Sequence, residues 1–147
     1  MREVIYKAII PLEPRSKKNN LVIKFRKVVG KNAFYKRTSQ GFILAGIPFV
    51  SQSDLYKEYE NDAGYFLRRP KGGTITDKVN IRYLFYRSNK KRVDASNLLE
   101  AADDILVKYH IIEDDSFQYV AGHDGTRVYV DKERPRTEIY IERWYEE

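Results

Sequence analysis

Residues 79–109 read VNIRYLFYRSNKKRVDASNLLEAADDILVKY, and this stretch joins the clearest strand of the chain to its clearest helix. Between Val79 and Tyr86 every second residue is branched or aromatic, which is typical of a strand. From Ala95 to Tyr109 apolar residues recur three and four positions apart, as on the buried stripe of an amphipathic helix. A strand that leads through a basic segment into a helix is the centre of the predicted fold.

The rest of the chain predicts further strands and one more helix. Strands are expected over residues 3–10, 21–29, 117–121, 126–130 and 136–144, with another that begins at 34–35 and continues near 42–44. A helix is expected over 54–69, where Ser51 and Asp54 fit a capping box. His123-Asp124-Gly125 predicts a hairpin turn. The predicted fold class is α+β, a single mixed β-sheet packed against two α-helices in one domain, residues 1–147.

The composition limits the chemistry available to this chain. Its 147 residues are 42% hydrophobic and include no cysteine and two histidines. Disulfides, zinc fingers, iron–sulfur clusters and thiol nucleophiles are thereby excluded, and a metal ion would need oxygen ligands. The longest uncharged apolar stretch, Gly41–Val50, is shorter than the roughly 18 residues of a membrane span, and the N-terminus lacks the apolar core of a signal peptide. We therefore expect a cytoplasmic protein without a membrane partner.

The net charge of +6 is unevenly distributed along the sequence. Residues 1–37 hold eleven basic and two acidic side chains, and residues 82–93 add five basic ones. Residues 94–115 then hold seven carboxylates against one lysine. Such runs fit an ordinary solvated surface. They also fit an acidic pocket with a basic rim, as a metal-dependent enzyme that acts on phosphates requires.

The carboxylates on either side of the second helix have two interpretations each. Asp94 precedes the helix and fits either an N-cap, with Asn97 at the N3 position, or a metal ligand, and the two roles are compatible. Asp114 and Asp115 follow the helix and fit either an Asx turn or ligands. A helix of about 14 residues rises roughly 20 Å. Asp94 and Asp115 therefore meet only if the chain after Tyr109 folds back beside the preceding strand.

The residues from 90 to 116 resemble the signature of the RusA-type Holliday-junction resolvases. That signature is a basic run, D-x-D-N-x-x-K, D-A-L and, further on, D-D-x-Q. This chain has K-K-R at 90–92, D-A-S-N-L-L-E at 94–100, D-I-L at 104–106 and D-D-S at 114–116, and its P-R-S-K-K-N-N at 14–20 is similar to the family's early P-P-S-x-N element. The resemblance implies a RusA-like fold. It also implies a small, dimeric, Mg²⁺-dependent endonuclease of phage or prophage origin that cleaves four-way DNA junctions symmetrically.

By position, the resemblance assigns a role to each matching residue. Asp94 matches the first catalytic aspartate, and Asp115 matches the aspartate of the D-D pair. Asn97 and Asp104 match the motif asparagine and the aspartate of D-A-L, and are expected to support the site.

The chain departs from the family pattern at two positions. Ser96 stands where the second catalytic aspartate is expected, and Glu100 stands where a lysine is expected. Glu100 lies one helical turn from Ser96 on the same face, so we expect its carboxylate to replace the missing one as a catalytic group. The ligands predicted for Mg²⁺, for which Mn²⁺ would substitute, are Asp94, Asp115, Glu100 and Asp114.

Basic residues near these carboxylates are candidates for contacts with DNA phosphates. They are Lys90, Lys91 and Arg92 before the first ligand, and Arg15, Lys17 and Lys18 in the early loop, where lysines also serve solubility. His123 fits a turn residue, a proton relay or an extra ligand. The expected partners are branched DNA and a second copy of the chain, with no nucleotide cofactor. The alternative function is a RusA-like protein that binds branched or double-stranded DNA but has lost cleavage through the changes at Ser96 and Glu100.

Overall fold

The computed structural model describes residues 2–17, 21–26, 35–38, 41–44, 47–52 and 54–146, with side chains described in 2–17 and 54–146. Its strands are β1 (Val4–Ile10), β2 (Leu21–Arg26), β3 (Tyr35–Thr38), β4 (Gly41–Leu44), β5 (Ile47–Gln52), β6 (Val79–Arg87), β7 (Val120–Gly122), β8 (Arg127–Val130) and β9 (Arg136–Arg143). Its α-helices are α1 (Asp54–Ala63), which continues into a 3-10 turn (Gly64–Phe66), and α2 (Ala95–Lys108).

The main sheet has five strands and is mixed. β9 lies between β1 and β6 and pairs antiparallel with both, so that Ile139 faces Ala8 on one side and Tyr83 on the other. On its other edge β6 pairs in parallel with β7 and with β8. The predicted α+β class, with a mixed sheet and two helices, is therefore confirmed.

The core lies between this sheet and the helices. Val79, Ile81, Tyr83 and Phe85 on β6 are each at most 1% exposed, as the alternation in the sequence predicts. Leu98, Ile105 and Leu106 on α2 are buried to the same extent, and they belong to the predicted apolar stripe. The helix predicted over 95–109 is confirmed with its end one residue earlier. None of the helices in the described ranges is long and apolar enough to cross a bilayer.

The segment from β2 to β5 corrects the prediction of a single sheet. β2 pairs antiparallel with β5, and β3 pairs antiparallel with β4, so that these strands form two separate two-stranded sheets. β5 was not predicted, because the apolar run over 41–50 does not alternate and contains Pro48. The predicted capping box at Ser51 is wrong, since Ser51 lies in β5 opposite Val22. The end of the strand predicted over 21–29 lies outside the described residues.

The first helix is shorter than predicted. α1 ends at Ala63, and the 3-10 turn that follows ends at Phe66 rather than at residue 69. Gly64 lies against the ring of Tyr109, where an added Cβ would stand 2.4 Å from a ring carbon. The Tyr109 hydroxyl donates a hydrogen bond to the carbonyl oxygen of Glu60 at 2.8 Å. The end of α1 is thus fixed against the end of α2.

The strands β7 and β8 do not form the predicted hairpin. Both run parallel to β6, one after the other along the same edge, and the residues between them leave the ladder. The side-chain amide of Asn80 fills the gap, because its Oδ1 accepts from Asp124 N at 2.8 Å and its Nδ2 donates to Asp124 O at 3.1 Å. Gly125 has a φ of +86°, which few other residues adopt. This interruption places His123 over the sheet.

Candidate functional site

Asp103 on α2 is a buried carboxylate that contacts two other side chains. Its side chain is buried, since the residue is only 6% exposed. Its Oδ1 accepts a hydrogen bond from the Tyr83 hydroxyl at 2.6 Å, and its Oδ2 lies 2.8 Å from His123 Nε2. These two donors compensate the carboxylate for the water that it loses on burial.

Asp103 also fixes the state of its two partners. An ionised carboxylate only accepts hydrogen bonds, so Nε2 of His123 donates to Asp103, and Nδ1 is an acceptor in the neutral form of the ring. The ring of Tyr83 stacks on that of His123 with centroids 5.9 Å apart. Burial, and then the charge of Asp103, raise the pKa of Tyr83 well above its ordinary value, which keeps this hydroxyl a donor.

Two further carboxylates lie next to Asp103. Asp104 forms an ion pair with Lys17 of the early loop, in which 2.8 Å separate Lys17 Nζ from Asp104 Oδ2. Partial burial, and then the charges of Asp104 and Asp103, raise the pKa of Asp115. We call Asp103, Asp104 and Asp115 the acidic cluster. Lys17 is the only predicted phosphate-binding residue for which a contact with this cluster is described.

Asp114 behaves as the turn residue of its pair. The Ser116 side chain and the backbone N–H of Asp115 lower the pKa of Asp114, so local groups stabilise its carboxylate. This arrangement matches the Asx-turn interpretation of the sequence. Its role as a metal ligand stays a prediction.

Asp94 lies at the other end of α2, as its N-cap residue. Its carbonyl oxygen accepts from the backbone N–H groups of Asn97 at 3.0 Å and Leu98 at 3.3 Å, but its side chain makes no capping hydrogen bond. The side chain is 61% exposed, with Asn97 Nδ2 at 3.5 Å and Arg92 Nη2 at 4.0 Å from the carboxylate. Ser96 and Glu100, on the first two turns of the helix, are exposed as well.

The predicted magnesium ligands do not come together within one chain. Ten residues of helix separate Asp94 from Asp104, a rise of about 15 Å, and it is Asp104 that lies beside Asp115. Within residues 2–17 and 54–146, no group of three or more histidine and carboxylate side chains is arranged to hold a metal ion. Asp94, Asp115, Glu100 and Asp114 therefore stay predicted ligands of the Mg²⁺ that the resemblance implies.

A polar cleft of about 480 Å³ lies between the loop after β1 and the loop that joins β6 to α2. We call it the basic cleft. It is lined by Glu13, Pro14, Arg15, Ser16, Arg87, Ser88, Asn89, Lys91, Arg92 and Val93. Three of the predicted phosphate-binding residues, Arg15, Lys91 and Arg92, thus line one cleft. Lys90 is exposed beside it, and Lys18 lies outside the described residues.

The basic cleft and the acidic cluster are adjacent. Arg15 lines the cleft, and two residues later Lys17 pairs with Asp104. Two residues of extended chain span at most about 7 Å. The early loop therefore connects a set of cations to a set of carboxylates.

The sequence analysis missed Arg87, Glu13, Asp103 and Tyr83 as members of these sites. Tyr83 carried a usable signal, because a tyrosine on the buried face of a strand needs a partner for its hydroxyl. Asp103 adjoins the apolar stripe of α2, but the helical period does not show which of two neighbouring aspartates is buried. Arg87 gave no signal, since its place in the cleft depends on a loop more than seventy residues away in sequence.

Comparison with known proteins gives no support from relatives. Neither the search of protein-family models nor that of curated proteins finds a match to this chain.

Proposed function

We propose that this protein is a structure-selective, metal-dependent DNA endonuclease that resolves four-way junctions in recombination and repair, as a cytoplasmic homodimer. The observation that carries the proposal is the early loop, which sets Arg15 in the basic cleft and Lys17 on the acidic cluster. A nuclease needs both halves of this arrangement. Cations hold the phosphates of the strand, and carboxylates serve the chemistry at one of them.

The chain's own residues have separate tasks in this proposal. Arg15, Lys91 and Arg92 bind phosphates, so affinity for DNA falls as salt rises. Asp103 orients His123, whose Nδ1 is then able to accept a proton. The requirement for Mg²⁺, or Mn²⁺ in its place, rests on the sequence resemblance alone.

A second candidate function is DNA binding without cleavage. It is favoured by the separation of Asp94 from the acidic cluster and by the departures at Ser96 and Glu100. A protein of this kind would grip branched or double-stranded DNA through the basic cleft and leave the strands intact.

Incubation of the purified protein with a synthetic four-way junction, with and without Mg²⁺ or Mn²⁺, separates the two candidates. Nuclease activity gives paired nicks on opposing strands in the presence of metal only. Binding without nicks in either metal supports the second candidate, and failure to bind any junction or duplex rejects both. Asp77→Asn, at an exposed position outside both sites, is the matched control and should behave as the unmodified protein.

Symmetric cleavage also requires two matched sites, so we expect a homodimer. Light scattering at micromolar concentration should give about twice the 17.4 kDa of one chain. A strict monomer, both free and on the junction, would rule out the paired mechanism.

A further inference from the structure

Arg87 is the last residue of β6 and lines the basic cleft. Its Nη1 donates a hydrogen bond to the carbonyl oxygen of Lys91, which holds the guanidinium against the following loop. Its Nε is buried, and no hydrogen-bond acceptor for it exists among the described residues. Arg87 was not among the predicted phosphate-binding residues, and its geometry is the clearest sign of a missing acceptor.

A buried N–H group without an acceptor is rare in folded proteins. Such a group loses its hydrogen bonds to water without a replacement, and the cost is larger when the group is charged. Of the described residues that line the basic cleft, only Glu13 is acidic, and its two carboxylate oxygens lie 3.0 and 3.3 Å from the backbone N of Ser88. Glu13 thus accepts from Ser88, and no acceptor for Arg87 Nε exists among the described residues.

The surroundings of Arg87 select an anion. Among the residues that the structure describes, the cleft is lined by four cations, Arg15, Arg87, Lys91 and Arg92, against the one carboxylate of Glu13. A guanidinium presents its N–H groups in a planar fork that matches two oxygens of one phosphate. At about 480 Å³ the cleft is also large enough for a nucleotide-sized group around that phosphate.

We propose that the basic cleft is a phosphate-binding pocket in which Nε of Arg87 donates to a phosphate oxygen. This inference rests on the proposed function in so far as it names the group of the DNA that the cleft takes. The same chemistry fits a phosphodiester within a strand and a phosphate at a strand end.

The test is an equilibrium titration without metal, so that it does not depend on cleavage. The probes are inorganic phosphate, a short fluorescent single-stranded oligonucleotide with a 5′-phosphate, and the same oligonucleotide with a 5′-hydroxyl. Arg87→Gln should weaken oligonucleotide binding at least tenfold, about 1.4 kcal/mol. Arg87→Lys, which keeps the charge but loses the Nε–H group, should give an intermediate loss.

The matched control is Arg143→Gln. Arg143 is also a guanidinium on a strand of the main sheet, but it lies opposite Val79 at the far end of β6 and pairs with Glu3 at 3.1 Å on the surface. An exposed pair of this kind contributes little to stability. Arg143→Gln should therefore leave the affinity for all three probes unchanged.

The two oligonucleotides distinguish the sources of the phosphate. If the cleft binds a phosphate at a strand end, the 5′-phosphorylated probe should bind at least tenfold more tightly than the 5′-hydroxyl probe, and Arg87→Gln should remove the difference. If the cleft binds a phosphodiester within the strand, both probes should bind equally, and Arg87→Gln should weaken the binding of both probes. Equal binding of every probe by Arg87→Gln, Arg143→Gln and the unmodified protein would overturn the proposal.

A second measurement protects the test against a misfolded variant. In the unmodified protein, the ¹H–¹⁵N resonance of Arg87 Nε should shift on addition of the oligonucleotide or of inorganic phosphate, because the N–H group gains an acceptor. An Nε resonance that does not move at saturating ligand would overturn the proposal even if all variants bind poorly. A junction that is bound but never cut would reject the endonuclease and leave the phosphate pocket intact.

Discussion

The two ends of helix α2 carry the same type of side chain in very different surroundings. Asp94 at the N-terminal end is 61% exposed and makes no capping hydrogen bond, whereas Asp103 nearer the C-terminal end is buried between the Tyr83 hydroxyl and His123. The residues that match the family signature most closely include Asp94. Asp103, whose carboxylate is held by hydrogen bonds to Tyr83 and His123, belongs to the acidic cluster. A sequence signature and a pre-organised site therefore need not coincide along one helix.

The strongest test of this comparison removes one carboxylate from each end. Asp94→Asn and Asp115→Asn should each lower junction cleavage by more than about a hundredfold, equivalent to about 2.7 kcal/mol of transition-state stabilisation. Binding of the junction should persist, since the phosphates are held by cations. The measurement is single-turnover cleavage beside a gel-shift titration. Cleavage at the unmodified rate in both variants would show that neither end of α2 carries the chemistry.

The free energy of unfolding should depend on the buried Asp103 much more than on the exposed Asp94. Asp103→Asn leaves an amide where a carboxylate accepted hydrogen bonds from Tyr83 and His123, so the free energy of unfolding should fall by about 2 kcal/mol. Asp94→Asn changes an exposed group without a capping bond and should cost at most about 0.5 kcal/mol. Urea denaturation at neutral pH measures both. Equal losses in the two variants would remove the contrast between the ends.

The parts of the fold that follow from local patterns were predictable. The apolar stripe of α2 gave both ends of the helix to within one residue, and the alternation along β6 gave its buried face. The course of β7 and β8 was not predictable, because it depends on the Asn80 side chain, which bonds to Asp124 from another strand. A pattern of neighbours in sequence contains no information about such a contact.

The same limit applies to the candidate site. Arg15, Lys91 and Arg92 were predicted as phosphate-binding residues from their charge, but their meeting in one cleft depends on the packing of two loops that are distant in sequence. The burial of Asp103 was not predicted, because only the tertiary structure brings Tyr83 and His123 to it. The sequence thus predicted which basic residues would bind phosphate, but not that they would lie together in one cleft.

Glu100 tests whether the N-terminal half of α2 has regained a lost carboxylate. If it replaces the aspartate missing at Ser96, Glu100→Gln should lower cleavage at least about tenfold, or 1.4 kcal/mol, and should leave phosphate binding unchanged. The measurement is again single-turnover cleavage of the junction. Glu100→Lys, which restores the family's usual residue, is the companion variant. A silent Gln variant together with an active Lys variant would exclude the replacement and leave Asp94 and Asp115 as the minimal site.

The smallest expected effect compares two adjacent carboxylates with opposite shifts. In the native protein the pKa of Asp115 is raised by partial burial and by Asp104 and Asp103, whereas the pKa of Asp114 is lowered by the Ser116 side chain and the backbone N–H of Asp115. Ionised Asp115 therefore opposes folding above its native pKa, and ionised Asp114 favours folding above its unfolded pKa. At pH 7, Asp115→Asn should stabilise the fold, by less than about 1 kcal/mol because solvent screens the group, and Asp114→Asn should destabilise it.

The difference for Asp115→Asn should disappear near pH 3, about a unit below the ordinary pKa of aspartate, because the Asp115 carboxyl is then largely protonated in both the folded and the unfolded chain. The difference for Asp114→Asn should begin to fall below the ordinary pKa of aspartate and should disappear only once the pH lies below the lowered native pKa of Asp114. Urea denaturation of the three proteins at pH 7 and near pH 3 measures this. If both variants change the free energy of unfolding in the same direction at pH 7, the charges of the other acidic-cluster residues do not destabilise ionised Asp115. Loss of cleavage together with a gain of stability in Asp115→Asn would instead mark a carboxylate that is kept for its chemistry at the expense of the fold, as functional groups in enzymes often are.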